Sequence, residues 1–272
     1  MSETNDPTLW RADLPWPGPD AHKHQRGRLG VVSGAMLHTG AARLAARAGL
    51  RVGAGLVRIL CPPDAGPVIA GAVEAVMVSD FDTPEALAEL AGPLDCVVIG
   101  PAAGLTEATA QNLKALAGTG AALVVDADAL TLFKGRAEAL FACLDAADVI
   151  TPHEGEFERV FPGLLGQGRE VAAVEAARLS GAYVVLKGRE TVIAAPDGRC
   201  RINGNGSPWL ATAGSGDVLA GLIGGLMAQK MEAFEAASAA VWMHADAAGR
   251  FGPGLTAEDL PGLIPAVLRD LA

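Results

Sequence analysis

The residues best placed to do chemistry lie in one stretch, 203–225, NGNGSPWLATAGSGDVLAGLIGG. Its first half is polar and broken by glycine, and from Val218 it reads as a long apolar helix. At the junction stands Ala213-Gly214-Ser215-Gly216-Asp217. Small residues and paired glycines let the backbone approach a ligand with no side chain in the way. A helix that begins here turns its unbonded N–H groups and the positive end of its dipole toward the loop. That arrangement holds an anion, most often a phosphate. Asp217 admits two readings. A carboxylate at a helix start can simply cap it. Beside a phosphate it would repel the ligand, unless it is the base for a hydroxyl that receives a phosphoryl group. The surrounding glycines favour the base.

Further candidates sit in loops that close apolar runs. His153, in Thr151-Pro152-His153-Glu154-Gly155-Glu156, is either a structural histidine or one in contact with a ligand, and Glu154 and Glu156 suit the positive end of a following helix. Lys187-Gly188-Arg189-Glu190-Thr191 is either a clamp for nucleotide phosphates or a charged hairpin tip. Asp126 and Asp128 end another run, where carboxylates can meet Mg²⁺ through water or cap the next turn; capping is the expected role of Asp128. Gly40-Ala41 starts a helix and, read alone, suits tight packing. His22 and His24 flank Lys23 without a third ligand and read as surface residues, at most near a phosphate.

These loops need a frame. Short apolar runs at 28–33, 53–59, 95–99, 121–125, 148–150 and 183–186 read as buried strands, with 74–78 a weaker one. Helical patterns fall between them, at 40–51, after Thr83-Pro84-Glu85, at 106–117 and at 168–180. Alternation of this kind predicts a parallel sheet layered between helices, whose ligand loops follow the strands' carboxyl ends. A hairpin around Pro196-Asp197-Gly198 joins 191–195 to 199–202, and three helices at about 214–229, 232–249 and 256–271 end the chain. Residues 1–21, with Pro7, Pro15, Pro17 and Pro19, are expected to lie extended along the surface ahead of one domain, 22–272.

Composition narrows the partners. Half of the 272 residues are apolar, enough for a sizeable core. A net charge of −10 argues against nucleic acid and against an anionic membrane surface, though backbone amides still hold a nucleotide. The four cysteines are dispersed without metal-like spacing and read as reduced packing residues. The acidic, proline-rich start is no signal peptide and no apolar run reaches spanning length, so a cytoplasmic protein is expected.

The Gly-Ser-Gly-Asp turn resembles the anion hole and catalytic aspartate of the ribokinase-like superfamily. LATAGSGDVLAG resembles one branch, the ADP- or ATP-dependent NAD(P)H-hydrate dehydratases. GRLGVVSG with TGAARLAARAGLRVGAGLVR, then VVIGPAAG, VVDADAL, TPHEGEF, VVLKGRET and NGNGSPWLATAGSGDVLAG follow in that family's order along nearly the whole chain. Ala102-Ala103 departs from the Gly-Leu usual there. The resemblance implies a three-layer α/β/α ribokinase-like fold with a mostly parallel sheet and a C-terminal hairpin. It implies that (6S)-NADHX and (6S)-NADPHX, the hydrated cofactors, are dehydrated with ADP, giving AMP and phosphate, with Mg²⁺ bridging the nucleotide phosphates. Ala41, Gly104, His153 and Asp217 would then contact the hydrated cofactor. Lys187, Gly188, Arg189, Glu190, Thr191 and Gly216 would contact the nucleotide, and the amides of Ala213, Gly214, Ser215 and Gly216 would form the anion hole. No residue is assigned to a metal. A homotetramer is also implied; with only about twenty residues ahead of the first motif, a separate hydrate epimerase is expected unless the chain is a fragment of a bifunctional protein. The alternatives are a kinase of the same fold for a hydroxylated vitamin precursor, and a non-catalytic nucleotide sensor, which would gain nothing from Asp217.

Overall fold

The computed structural model describes residues 2–272. Among them ten strands form one sheet: β1 (Glu3–Thr4), β2 (Arg28–Val32), β3 (Leu56–Cys61), β4 (Met77–Asp80), β5 (Cys96–Ile99), β6 (Ala122–Val125), β7 (Val149–Ile150), β8 (Tyr183–Leu186), β9 (Thr191–Ala194) and β10 (Cys200–Asn203). Their spatial order is β1-β10-β9-β8-β7-β6-β5-β2-β3-β4. All pairs from β4 through β8 are parallel, whereas β9 runs antiparallel to both β8 and β10. The mostly parallel sheet and its hairpin are therefore as predicted.

The helices are α1 (Gly40–Val52), α2 (Gly66–Ala70), α3 (Pro84–Ala91), α4 (Glu107–Ala117), α5 (Asp128–Thr131) and α6 (Ala137–Phe141). They continue with α7 (Glu154–Val160), α8 (Arg169–Ser180), α9 (Ser215–Ala228), α10 (Ala233–Phe251) and α11 (Leu260–Leu271). Successive strand residues point to opposite faces, so each strand feeds two cores. Cys96 and Val98 of β5 pack with α1, α9, α10 and α11, while Val97 and Ile99 pack with α3, α4, α7 and α8. A sheet covered on both faces explains why its strands read as unbroken apolar runs.

Helix α9 lies against α1 at backbone distance. A Cβ on Gly225 would stand 2.5 Å from Val52 Cγ1 and 2.8 Å from Gly49 Cα, and one on Gly221 would overlap the Ala45 carbonyl. The glycines in the apolar half of 203–225 are thus packing residues that let α9 settle between α1 and the sheet. Thr83 caps α3 as expected, its Oγ1 accepting from Ala86 N–H at 3.1 Å.

Several expectations are corrected. The segment expected at 1–21, described from residue 2 on, is not simply laid over the surface: Glu3–Thr4 adds a strand to β10, Trp10 is fully buried and Leu14 joins the core. The strand expected at 74–78 forms at Met77–Asp80, and α2, α5 and α6 were too short to stand out as periodic patterns. The last helix starts at Leu260 because Thr256 spends its N–H and hydroxyl on Asp259 in a turn, at 2.9 and 2.7 Å. His22-Lys23-His24 is exposed but far from a phosphate site: it precedes β2, where Gly27 packs on Ala228 at the C-terminal end of α9. No helix among the described residues is long and apolar enough to cross a membrane.

Candidate active site

The loops after β2, β5, β6, β7 and β8 converge at the carboxyl edge of the sheet, where α9 begins. The backbone at Gly34 presses on the Ala102 carbonyl, so the first two loops touch. Gly104 donates its N–H to Asp128 Oδ2 at 2.9 Å, which ties the third loop to the second. Asp128 therefore braces a neighbouring loop and does not cap its own turn; the residue ahead of α5 is Ala127, at φ +51° and ψ −118°. Lys187 donates its N–H to the Pro152 carbonyl at 2.8 Å, and a bridge between His153 and Lys187 sets TPHEGEF beside KGRET.

At the start of α9, Gly214 takes φ +88°, a left-handed conformation that glycine adopts freely. Ser215 Oγ donates to the Leu210 carbonyl at 2.7 Å, pinning the loop from below. Asp217 lies in the first turn, half-buried, and accepts no hydrogen bond from the described residues. The capping reading fails on that point. Burial, then the nearby Asp126 carboxylate, push its pKa up to about 6 against the pull of Lys187. A carboxylate so placed is free to take a proton near neutrality.

Lys187 opens the turn between β8 and β9, but its side chain is not spread on the surface as a charged tip would be. It points inward, with Nζ 2.7 Å from Asp126 Oδ1 and 3.8 Å from Glu156 Oε2. Burial works against its charge, but the two carboxylates outweigh that and raise its pKa. A Cβ on Gly216 would lie 3.6 Å from Lys187 Nζ and 3.9 Å from Asp126 Oδ2, so the glycine backbone faces this pair with nothing between. The anion loop, the lysine and Asp217 occupy one small volume. Gly188, Arg189 and Glu190 stay exposed around it, and Thr191 is half-buried, donating to the Gly188 carbonyl at 3.3 Å.

His153 takes the structural one of its two readings, as a helix cap. Its Nδ1 accepts from Gly155 N–H at 2.9 Å and Glu156 N–H at 3.2 Å, while Glu156 Oε2 accepts from His153 N–H at 2.8 Å. This reciprocal cap starts α7. It leaves the other edge of the imidazole exposed, with Nε2 3.4 Å from Glu156 Oε1. Ala41 is half-buried in the first turn of α1, one turn ahead of Leu44, whose side chain abuts Gly214.

Three contributors escape sequence reasoning. Asp126 and Glu156 as partners of Lys187 require the fold, although Glu156 at the third position of a capped helix is a local signal. Arg169 pairs with Glu154 and donates to the carbonyls of Leu186, Lys187 and Glu190 at 3.0, 3.2 and 3.2 Å, holding the 187–191 turn. Large apolar side chains also stay exposed at this edge: Met36 and Leu37 after β2, Leu105 after β5 and Trp209 ahead of α9. Amides at a helix start, a lysine and a proton-ready carboxylate together suit phosphoryl transfer to a hydroxyl.

Comparison with known proteins agrees with this chemistry. The profile of the NAD(P)H-hydrate dehydratase family matches residues 29–263. A bifunctional NAD(P)H-hydrate repair enzyme from Gloeobacter violaceus is 41% identical over 278 residues, covering 97% of this chain and 54% of that protein. The chain thus spans about half the length of such bifunctional relatives. An ADP-dependent (S)-NAD(P)H-hydrate dehydratase from Neisseria meningitidis serogroup B is 36% identical over 260 residues, 92% of this chain and 86% of that one. The crystal structure of the ADP/ATP-dependent NAD(P)H-hydrate dehydratase from Bacillus subtilis, grown with ATP and Mg²⁺, has a TM-score of 0.87 at 27% identity, covering 100% and 99% of the two chains. With its profile match running from β2 into α11 and its fold shared from end to end, the chain belongs to the NAD(P)H-hydrate dehydratase family, on a ribokinase-like scaffold.

Proposed function

We propose that this chain dehydrates (6S)-NADHX and (6S)-NADPHX to NADH and NADPH with ADP as phosphoryl donor, releasing AMP and phosphate. The observation that carries this reading is Asp217, uncapped and proton-ready, one residue from a glycine backbone that faces Lys187. Asp217 takes the proton of the C6 hydroxyl while its oxygen bonds the terminal phosphorus and the bond to AMP breaks. The amides of Ala213, Gly214, Ser215 and Gly216 hold the charge that develops on the transferred group, each such donor contributing about 3–4 kcal/mol in other enzymes. The ring nitrogen's lone pair then expels phosphate from C6, and loss of a proton from C5 restores the double bond.

Lys187, Gly188, Arg189, Glu190, Thr191 and Gly216 surround the nucleotide in this reading, and Ala41, Gly104, His153 and Asp217 surround the hydrated ring. The apolar rim of Leu37, Leu105 and Trp209 gives that ring a surface to rest on. Two carboxylates beside phosphates suit Mg²⁺, which accepts one or two protein oxygens and completes its shell with phosphate and water. Asp126 and Glu156 would hold it; when bound it neutralises phosphate charge. Among the described residues no cluster of three or more His, Cys, Asp or Glu side chains offers a metal site independent of the nucleotide.

The working unit in this proposal is one dehydratase domain, 22–272, as a cytoplasmic homotetramer served by a hydrate epimerase. Absorbance at 340 nm with hydrated NADH and Mg²⁺ tests the central claim. Growth with ADP supports it, and growth with ATP alone reassigns the donor. Silence with both, from folded protein that binds AMP, rejects the dehydratase and directs a screen of hydroxylated vitamin precursors as kinase substrates.

A further inference from the structure

The N-terminal segment is wired to the loop that carries the anion site. Asn5 is 4% exposed, and its N–H and both polar atoms of its side chain are used. Its N–H donates to the Ile202 carbonyl at 2.8 Å, and its Nδ2 donates to Asn203 Oδ1 at 2.9 Å and to the Ser238 carbonyl at 2.8 Å. Its Oδ1 accepts from Trp10 Nε1 at 3.1 Å. Asn203, 2% exposed, passes the chain on, its Nδ2 donating to Asn205 Oδ1 at 2.6 Å. Asn205 Nδ2 then donates to the Trp242 carbonyl at 3.1 Å, and the Trp242 ring meets Trp10 edge-on at 5.9 Å. The circuit closes on itself through β1, β10 and α10.

What this circuit grips is the start of the loop 204–214. Most of that loop is exposed: Gly204, Asn205, Gly206, Pro208, Trp209, Ala211 and Ala213 bury little surface of their own. Apart from Gly206, whose backbone lies on the Arg189 carbonyl, and Leu210, which packs on the core, such a segment takes its shape from its two ends. One end is α9 itself. The other is Asn203, and on the side of β10 away from β9 it is held, among the described residues, by the N-terminal segment. A buried polar knot in which each side-chain amide atom finds a partner specifies one geometry, where an apolar patch would tolerate several.

We propose that Asn5 and Trp10 are positioning residues of the active site. The N-terminal segment is a strap that sets the 204–214 loop, and through it the amides of Ala213 to Gly216. Neither residue touches a reacting atom. The kinetic part of this inference rests on the dehydratase reading; the structural part does not.

The test uses the full chain with Asn5→Ala and, separately, Trp10→Phe, which keeps an aromatic ring against Trp242 but removes the indole donor. Amide hydrogen exchange across 204–216 is expected to speed up about tenfold in Asn5→Ala, with α3 and α4 unchanged. Trp10→Phe should move the same amides by a smaller factor. In the 340 nm assay, kcat should fall about tenfold while KM for ADP changes less than about twofold, the pattern of a lost transition-state contact. Exchange in 204–216 that matches the wild type in both variants, with only the melting temperature lowered, would overturn the strap and leave it as edge cover. Wild-type protein silent at 340 nm removes only the kinetic arm, because the exchange measurement still decides. If Asn5→Ala does not fold, Trp10→Phe carries both readouts.

Discussion

As the base of the proposed reaction, Asp217 trades stability for reactivity. Its pKa is raised to about 6 from an ordinary value of 3.8, so the folded protein holds that proton more tightly than the unfolded chain does. Stability from this group is present at low pH and is lost as pH rises through about 6, while the base it offers appears over the same range. The log of kcat/KM is therefore expected to climb with pH and level off above about 6, followed at 340 nm. Asp217→Asn should lower kcat by about 10²–10⁴-fold. AMP affinity should be retained and the melting temperature at pH 7 should be no lower, since a repelled charge beside Asp126 has gone. A drop in both stability and nucleotide binding would instead mark Asp217 as structural. Lys187 behaves in the opposite way. Lys187→Met strands Asp126, whose side chain is only 2% exposed, beside Glu156. Unpairing a buried carboxylate should cost about 2–4 kcal/mol in denaturant unfolding, along with ADP affinity.

At the scale of elements, the position of Asp217 depends on how deeply α9 sinks against α1. Gly221 has no room for a methyl group, because a Cβ there overlaps the backbone of Ala45. Gly221→Ala is expected to cost about 3 kcal/mol or more, because neither backbone can yield as a side chain would. The shift should also carry the first turn of α9 out of line and reduce kcat. Gly40→Ala is the matched control. Nothing lies within 4 Å of its added carbon, so its unfolding free energy should stay within about 0.5 kcal/mol of wild type. Chemical denaturation of both variants, read by far-ultraviolet circular dichroism, checks the pair. Equal losses would mean that α9 is not seated by backbone contact.

The whole molecule is a thiol-bearing α/β layer structure without cross-links. Cys61, Cys96 and Cys200 are buried, Cys143 is half-buried, and all four are free. Burial pushes each of their pKa values up, so none is poised as a thiolate. Native protein at pH 8 should therefore show at most one thiol, Cys143, reacting quickly with a chromogenic disulfide reagent. All four should react once the chain is unfolded. Fast reaction of Cys96 in native protein would mean that the sheet opens under α9. The same two-faced burial that hides these thiols holds the ligand loops in a row along the sheet edge.

Much of the proposed site was legible from local sequence because the signals that point to it are local. A small-residue turn followed by an apolar helix marks the proposed anion loop within a few positions, and Asp217 as its candidate base follows from it. Thr83 before Pro84 and Glu85 marks a helix start in the same way, and unbroken apolar runs mark strands covered on both faces. What the tertiary structure decided lies between residues far apart in the chain. Lys187 reads equally as a clamp or a surface tip until Asp126, 61 positions away, turns it inward. Asp128 carries the composition of a cap, yet it is spent on Gly104, 24 positions back. The N-terminal segment carries only two strand residues, too few for any periodicity, and its partner Asn203 stands 198 positions from Asn5. Turn and capping preferences act over one helical turn, so sequence determined which loops could bind. Charge pairing and edge pairing act through space, so only the closed sheet determined which side chains face one another across them.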